Sequence, residues 1–308
     1  MAFELRHDEP IPQGIRRVVL ARIENALEAL AGDGSVVSDS AVHDARKRFR
    51  EIRGILRLVR DELGRDVFRR ENRTFREAAR PLSTVRDARI LVDSLDRLIE
   101  QFEGRVEPER LAQLRRALLE RRRAIRRQVF SRDRVVPDIT RRVEAAMKRV
   151  ERWPIHSRGW KTIGSGLRKV YSQGRRALKV VRAGISDEAL HEWRKRTKDL
   201  RYELELLQSM CPGTVKPLAE QAHRLTDLLG DDHDLAVLST IAREASAGDS
   251  EVEYALLMAL VAERRAALQQ EATAVGDKLY EARPREFERR LKSYWKIARQ
   301  DAQSDGTA

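Results

Sequence analysis

The sequence predicts an all-α protein, and three features of its composition and patterning support this fold class. Only 16 glycines and 9 prolines occur in 308 residues, so few positions interrupt regular structure. Charged residues make up 36% of the chain, above the roughly 25% of an average globular domain. Apolar residues recur at spacings of three and four along most of the chain, which is the periodicity of amphipathic helices. Sandwiches, barrels and doubly wound sheets are therefore disfavoured.

Glycine, proline and short polar segments end each run of helical periodicity and mark the joints between helices. The expected domain covers 10–298, with an N-terminal helical bundle over 10–152 and a C-terminal bundle over 157–298. Residues 299–308 are small and polar and are expected to form a flexible tail. The predicted helices cover 11–31, 40–63, 65–80, 84–103, 108–131, 135–152, 159–183, 187–210, 214–229, 232–247, 249–281 and 284–300.

One segment of the chain occurs twice. Residues 43–53 have the sequence HDARKRFREIR, residues 191–201 have HEWRKRTKDLR, and five of these eleven positions are identical. A second pair of similar motifs begins at Arg86 and at His233, 43 and 42 residues after the initial histidine of each segment. The sequence therefore predicts two related antiparallel helical bundles that arose by internal duplication.

Each copy of the repeated segment carries an apolar stripe and a cationic row on one helix. The apolar stripes, predicted to face a core, are Val42, Ala45, Phe49, Ile52, Leu56 and Val59 in the first copy and Leu190, Trp193, Thr197, Leu200, Leu204 and Leu207 in the second. The cationic rows consist of His43, Arg46, Lys47, Arg50, Arg53 and Arg57 in the first copy and His191, Arg194, Lys195, Lys198 and Arg201 in the second. Ser40 and Ser186 are the expected N-caps of these helices.

The cationic rows predict binding of a linear anion. Successive members lie about 5 Å apart along the helix axis and repel one another. The acidic residues Glu51 and Asp199 are expected to lie beside the rows and not within them. An anion with regularly spaced charges would relieve the repulsion and accept charge-assisted hydrogen bonds from arginine and lysine. A solvent-exposed cationic helix face is the alternative interpretation, and the repetition of the row favours a binding function.

Further basic helix faces are secondary candidates for the same anion. Arg69, Arg73, Arg76 and Arg80 are spaced at four, three and four residues, and a later helix carries Arg168, Tyr171, Arg175 and Lys179. The chain has a net charge of +13, and arginine supplies 51 of its 62 cationic side chains. Arginine stays charged at any relevant pH and matches the geometry of phosphate oxygens.

The remaining composition limits other classes of function. The only cysteine, Cys211, excludes an internal disulfide and a multi-thiolate zinc site, and it is expected to pack as a small hydrophobic residue. We expect no metal and no cofactor. No stretch has the length and apolarity of a membrane span, and the N-terminus lacks the apolar core of a signal peptide. These features predict a cytoplasmic protein that does not insert into membranes.

The motifs resemble those of the CHAD family, the conserved-histidine α-helical domains. The resemblance depends on both cationic rows, Tyr202 included, and extends over about residues 10–298. Its further motifs are Val85-Arg86-Asp87, Gly166-Leu167-Arg168-Lys169-Val170-Tyr171, Leu229-Gly230-Asp231-Asp232-His233-Asp234 and the ending Pro284-Arg285-Glu286-Phe287.

The resemblance implies two helical bundles with a basic groove or pore between them. It also implies binding of inorganic polyphosphate without catalysis, and association with polyphosphate granules. Two positions depart from the repeat, because Glu205 occupies the place of Arg57 and His233 the place of Arg86. The role of His233, the oligomeric state and the preferred length of the polyphosphate chain stay open.

Three other functions are considered. A nucleic-acid-binding protein would use the same net charge, but aromatic residues are only 5% of the chain and no stacking platform is evident. Weak nucleic-acid binding is expected from charge alone.

A metal-dependent phosphohydrolase would use His191, His223, His233-Asp234 and Asp249, but arginine and lysine around that site would repel the metal ions. A histidine phosphotransfer module would have Lys and Gly directly after its histidine, which neither row shows.

Overall fold

The structure of this protein is a computed structural model that describes residues 3–6, 8–31, 37–105, 108–210, 212–245 and 251–305. Cys211 lies outside these residues, so its expected packing is not described. Within them the chain is all-helical and has no strand, which confirms the predicted fold class. The α-helices are α1 (Ile11–Ala31), α2 (Asp39–Leu58), α3 (Arg60–Gln101), α4 (Ala112–Arg127), α5 (Val135–Val150), α6 (Lys161–Ala183), α7 (Asp187–Leu207), α8 (Pro212–Ala245), α9 (Glu251–Leu279) and α10 (Pro284–Asp305).

Two pairs of predicted helices form single long helices. The segments 65–80 and 84–103 both belong to α3, which continues through Pro81, and 214–229 and 232–247 both belong to α8, which continues through Gly230. Buried neighbours hold the helix together on both sides of Pro81 despite the hydrogen bond that proline removes. The break expected after residue 63 occurs inside α3, where Gly64 has φ 72° and ψ 170°. Helix α10 extends to Asp305, beyond its predicted end.

The apolar stripes of both repeated segments are buried, as predicted. Phe49 and Trp193, the largest members of the two stripes, are completely enclosed. They belong to the main hydrophobic core, which includes residues of α1, α2, α5, α6, α7 and α10. A second core joins the C-terminal halves of α3 and α8 to α4 and α9. None of the described helices combines the length and the apolarity needed to cross a membrane.

Helices α2 and α7 pack closely where Gly54 meets Tyr202. A Cβ atom at position 54 would lie 2.9 Å from the Cβ of Tyr202, closer than two such atoms approach in proteins. Glycine is therefore required for this separation between the two helix axes. The crossing places the N-terminal parts of α2 and α7, which carry the first members of both cationic rows, next to each other.

Candidate anion-binding site

Helices α2 and α7 begin with the same capping interaction. The hydroxyl of Ser38 accepts a hydrogen bond from the backbone N–H of Ala41, and that of Ser186 accepts one from Ala189, both at 3.1 Å. The prediction of Ser186 is thereby confirmed, whereas the prediction of Ser40 is wrong by two residues. The Ser40 hydroxyl instead lies 2.8 Å from that of Ser38.

A cavity of about 870 Å³ lies between α2, α3, α7 and α8. Eight of the eleven side chains of the two cationic rows line it, four from each helix. These eight are His43, Arg46, Lys47, Arg50, His191, Arg194, Lys198 and Arg201. The structure therefore brings the first parts of both rows to one shared space.

The lining of this cavity carries more positive than negative side chains. Arg86 and Arg97 of α3 join the six lysines and arginines of the two rows, which gives eight cations. Four carboxylates also line the space, namely Asp87, Asp227, Asp231 and Asp234. Four of the six histidines in the chain are present as well, namely His43, His191, His223 and His233.

The two rows make matching contacts with the helices that follow them. Arg46 of α2 lies 3.3 Å from Asp87 of α3, and Arg194 of α7 lies 3.9 Å from Asp234 of α8. The Nε of Arg46 also donates a hydrogen bond to the hydroxyl of Ser83, at 3.1 Å. One carboxylate thus faces one arginine at equivalent places in the two repeated segments, and it holds the guanidinium at the cavity wall.

Arg201 is held at the end of the cavity by neighbours on two helices. Its Nε donates to Glu205 at 2.6 Å, and one terminal nitrogen donates to the hydroxyl of Thr226 at 3.2 Å. Asp227 lies 3.8 Å from the same guanidinium. His223 lies near this cluster, with its Nε2 3.3 Å from Asp227.

Burial and neighbouring positive charges lower the pKa values of several cations in the cavity wall. Burial, with the nearby Arg50, lowers the pKa of Arg46 to about 9. Burial also lowers the pKa of Lys198 well below its usual value, and Arg194 and Arg50 add to this effect. These cations have lost much of their hydration without gaining full compensation from carboxylates, so an incoming anion would be strongly attracted.

Three of the four histidines of the cavity have lowered pKa values, which favours their neutral form. The rings of His191 and His233 lie 4.8 Å apart between centroids, so protonation of one disfavours protonation of the other. Burial, with Arg194 and His191 nearby, lowers the pKa of His233 to about 4. Burial is also the main cause of the lowered pKa of His43 and of His191, and neighbouring cations contribute.

Three predicted members of the rows lie outside the cavity. Arg53 donates from Nε to the side-chain oxygen of Asn72 at 3.0 Å. Arg57 forms an ion pair with Asp199 at 3.1 Å. This carboxylate, which was expected to lie beside the rows, therefore contacts the last member of the row on α2. Lys195 is exposed and pairs with Glu192, one turn earlier on α7, at 2.7 Å.

The secondary candidates also lie outside the cavity. Tyr171 is a core residue whose ring stacks on Phe287 at 3.9 Å, and its hydroxyl donates to backbone carbonyls. It is therefore inaccessible to a ligand, and the prediction of Tyr171 as a binding residue is not retained. Arg168 pairs with Glu288, and Arg175 donates to a backbone oxygen. Both of these arginines are exposed, as are the other secondary candidates, Arg69, Arg73, Arg76, Arg80 and Lys179.

Several residues of the cavity were not predicted from the sequence as members of the anion site. Arg86 and Asp87 belong to a motif that the sequence repeats, and this repetition was the available signal. Arg97 and His223 lie on long helices, where no local pattern distinguishes them from other charged surface residues. Among the described residues, no group of three or more histidine, cysteine or acidic side chains is arranged to hold a metal ion.

Comparison with known proteins agrees with this architecture. The family model of the CHAD domain matches residues 21–243, most of the chain, so the protein belongs to the CHAD domain family. Its structure is similar to the crystal structure of the CHAD domain from the plant Ricinus communis, with a TM-score of 0.65 and 18% sequence identity. That match covers 90% of this chain and 94% of the plant domain. No curated protein matches the sequence.

Proposed function

We propose that this protein binds inorganic polyphosphate in the cavity between α2, α3, α7 and α8, without catalysing a reaction on it. The observation that carries the proposal is the meeting of two cationic rows in one space that has eight lysines and arginines against four carboxylates. A ligand that supplies several negative charges along a line offsets this excess. Polyphosphate carries one negative charge on every internal phosphate and has no bulky group to accommodate.

Arginine and lysine would hold the phosphate oxygens from both sides of the chain. Arg46, Arg50 and Arg194 supply planar donor groups, which suit pairs of phosphate oxygens. Lys47 and Lys198 supply flexible ammonium groups that can follow the chain. Because Lys198 is deprived of water and surrounded by like charges, an anion beside it restores the stability of its charged form.

The histidines would add donors whose strength depends on pH. His43 and His191 each lie in the second turn of a helix and line the cavity. Their pKa values are lowered in the unliganded protein. A phosphate chain nearby would raise these pKa values, so ligand binding would take up protons.

The internal duplication is part of this proposal. Gly54 follows His43 by the same number of residues as Tyr202 follows His191, so the two helices cross at equivalent positions of the repeat. The Arg46–Asp87 and Arg194–Asp234 contacts are equivalent as well. Two copies of one bundle would in this way supply two similar walls for a ligand that is itself a repeat of identical units.

The test is a binding measurement with a charge-reversed double variant, Arg50→Glu with Lys198→Glu. We expect the variant to lose polyphosphate binding while its helical content, measured by circular dichroism, is unchanged. The matched control is Arg285→Glu with Lys292→Glu, which removes the same charge from exposed positions on α10. Normal binding by the cavity variant would contradict the proposal.

Two further measurements address the alternatives. Competition of RNA and DNA against long-chain polyphosphate at near-physiological salt should leave polyphosphate bound, since nucleic acid would have only the charge attraction. Incubation of polyphosphate with the protein and added Mg²⁺ or Mn²⁺ should leave its chain length unchanged. The expected cytoplasmic location and granule association would appear as co-localisation of a fluorescent fusion with polyphosphate granules.

A further inference from the structure

Helix α4 and the turn that follows it form a second basic surface, outside the cavity. Residues 112–134 contain nine arginines and two acidic residues, Glu120 and Asp133. This is the strongest concentration of positive charge along the chain outside the two rows. The exposed arginines of α4 are Arg115, Arg116, Arg121, Arg123 and Arg127.

Most of the exposed arginines of α4 have no ion pair, a property that they share with exposed arginines elsewhere, such as Arg69 and Arg73 of α3. Arg105 lies 2.9 Å from Glu263, and Arg224 lies 2.6 Å from Glu271, pairs typical of a surface with balanced charge. Within the described part of the chain, Arg121, Arg123 and Arg127 have no carboxylate at ion-pair distance. Their mutual repulsion is thus left uncompensated.

These arginines surround a hollow of about 900 Å³. Its lining contains four arginines, namely Arg121, Arg123, Arg126 and Arg127, and one carboxylate, Glu120. Phe130 forms part of the wall, with the guanidinium of Arg126 5.3 Å from the centre of its ring. The phenyl ring is half-buried and lies against Arg126.

Asp39 connects this surface to the cavity. Its carboxylate lies 2.5 Å from Arg122 and 2.9 Å from Arg126, both on α4, and 3.6 Å from Arg89 on α3. Asp39 is in the first turn of α2 and lies one turn before His43, which lines the cavity. Residues four apart on a helix are neighbours, about 6 Å apart. Arg122 and Arg126 of α4 therefore contact a residue one helical turn from the cavity rim, and Arg121, Arg123 and Arg127 are their neighbours along α4.

We propose that the α4 surface binds the part of a long polyphosphate chain that extends out of the cavity past His43. This inference rests on the proposed function, since it requires that the cavity holds polyphosphate. The α4 surface and the cavity carry charge of the same sign on adjoining surfaces, so one continuous anion can contact both. Short chains fill the cavity alone, whereas long chains gain the contacts with Arg121, Arg123 and Arg127. The protein thereby prefers long chains to short ones.

The test compares tripolyphosphate with long-chain polyphosphate by calorimetry or fluorescence anisotropy over a range of salt concentrations. The test variant carries Arg121→Glu, Arg123→Glu and Arg127→Glu, and a milder variant carries glutamine at the same three positions. The matched control carries Arg176→Glu, Arg285→Glu and Arg289→Glu, which removes the same charge from exposed positions on α6 and α10. Circular dichroism checks the helical content of each protein.

We expect the α4 glutamate variant to bind long-chain polyphosphate about tenfold more weakly and tripolyphosphate normally. The slope of log K against log salt for the long chain should fall by about 2, since each lost phosphate contact removes about 0.7 from the slope for a single-stranded polyanion. The glutamine variant should show a smaller change in the same direction, and the control variant should match the wild type.

The outcomes separate the two proposals. Unchanged affinity and salt slope for the long chain in both α4 variants would overturn the α4 proposal and leave the cavity proposal intact. Loss of single-stranded DNA binding without loss of long-chain polyphosphate binding would assign the surface to nucleic acid and would also overturn it. Failure of the wild type to bind either polyphosphate would overturn both proposals.

Discussion

Gly54 on α2 lies directly against Tyr202 on α7, and this contact sets the distance between the two cationic rows. The missing Cβ lets the backbone of α2 approach the Cβ of Tyr202 at a point where a side chain would collide with it. Arg50 lies one turn before Gly54, and Lys198 lies one turn before Tyr202. Both cations therefore reach the cavity from opposite walls immediately beside the crossing.

Replacement of Gly54 by valine is expected to destabilise the protein and to weaken anion binding. The added methyl groups have to push α2 away from α7, and overpacking of this kind costs about 1–3 kcal/mol. Because this moves the two cationic rows apart, the variant should also bind polyphosphate more weakly, even at temperatures where it is folded. Gly213→Val is the control, since a Cβ at that position meets nothing within 4 Å. Equal stability of the two variants would show that the crossing tolerates a side chain.

Replacement of Lys198 by methionine is expected to stabilise the unliganded protein and weaken its binding of polyphosphate. The lysine is half-buried, and this burial together with Arg194 and Arg50 lowers its pKa. Removal of a poorly compensated charge should raise the free energy of unfolding by about 1 kcal/mol or more. Chemical denaturation and calorimetric titration measure the two effects. The exposed Lys292→Met serves as the control, and a decrease in stability of the Lys198 variant would contradict this account.

The fold was predictable from the sequence because helical periodicity and burial agree along most of the chain. The apolar stripe that contains Phe49 and the one that contains Trp193 are both buried as the spacing indicated. The long helices were predicted as shorter ones, because Pro81 and Gly230 are helix breakers in isolation. Packing on both sides of these residues outweighs their local preference, and a pattern confined to one segment does not contain that information.

The candidate site was only partly predictable, because the spacing along a helix does not say where two helices cross. His43 to Arg50 precede the crossing at Gly54 and line the cavity. Arg53 and Arg57 continue the same row by spacing, but they lie at or beyond the crossing and contact Asn72 and Asp199. The carboxylates that face the rows come from other helices, so their contribution to the charge of the site appears only in three dimensions.

The lowered pKa values of the histidines predict that the unliganded protein loses stability in mild acid. Below about pH 6.5 the unfolded chain protonates its histidines, whereas His233, facing Arg194, His191, Lys198 and Asp187, stays neutral in the folded protein until about pH 4. The unfolded state then binds more protons, so the free energy of unfolding decreases as the pH falls through this window. Denaturation curves at pH 7, 6 and 5 should be compared for the wild type, His233→Asn and the exposed control His156→Asn. We expect only His233→Asn to flatten the pH dependence.

The affinity for polyphosphate should increase in mild acid, whereas the lowered pKa values of the histidines reduce the stability of the unliganded protein there. A bound anion raises the pKa values of His43 and His191, so the complex takes up protons and affinity increases as the pH falls from about 8 toward 6. Calorimetric titrations in two buffers of different ionisation enthalpy give the number of protons taken up on binding. Affinity that does not change with pH would show that the histidines stay neutral in the complex, and it would leave the contribution of the arginines unaffected.

Glu203 is expected to reduce the stability of the protein, and its replacement by methionine should increase that stability. The side chain is completely buried on α7, and neither carboxyl oxygen has a hydrogen-bond partner within the described residues. Burial, with Asp199 nearby, raises its pKa well above the usual value, so the folded protein keeps the proton. The unfolded chain releases that proton as the pH rises above about 4.5, so this group by itself lowers the free energy of unfolding toward neutral pH, opposite in sign to the contribution of the histidines.

An unsatisfied buried polar group costs about 1–3 kcal/mol, so Glu203→Met should raise the free energy of unfolding by about this amount at pH 7. The gain should be smaller at pH 4, where the carboxyl group is protonated in both states. Glu203→Gln separates the two causes, because glutamine removes the titration but keeps the unsatisfied polar atoms. We expect it to remove the contribution of this carboxyl group to the pH dependence, to leave that of the histidines, and to give a smaller gain at pH 7. A Glu203→Met protein less stable than the wild type would show that the carboxyl group has a stabilising partner.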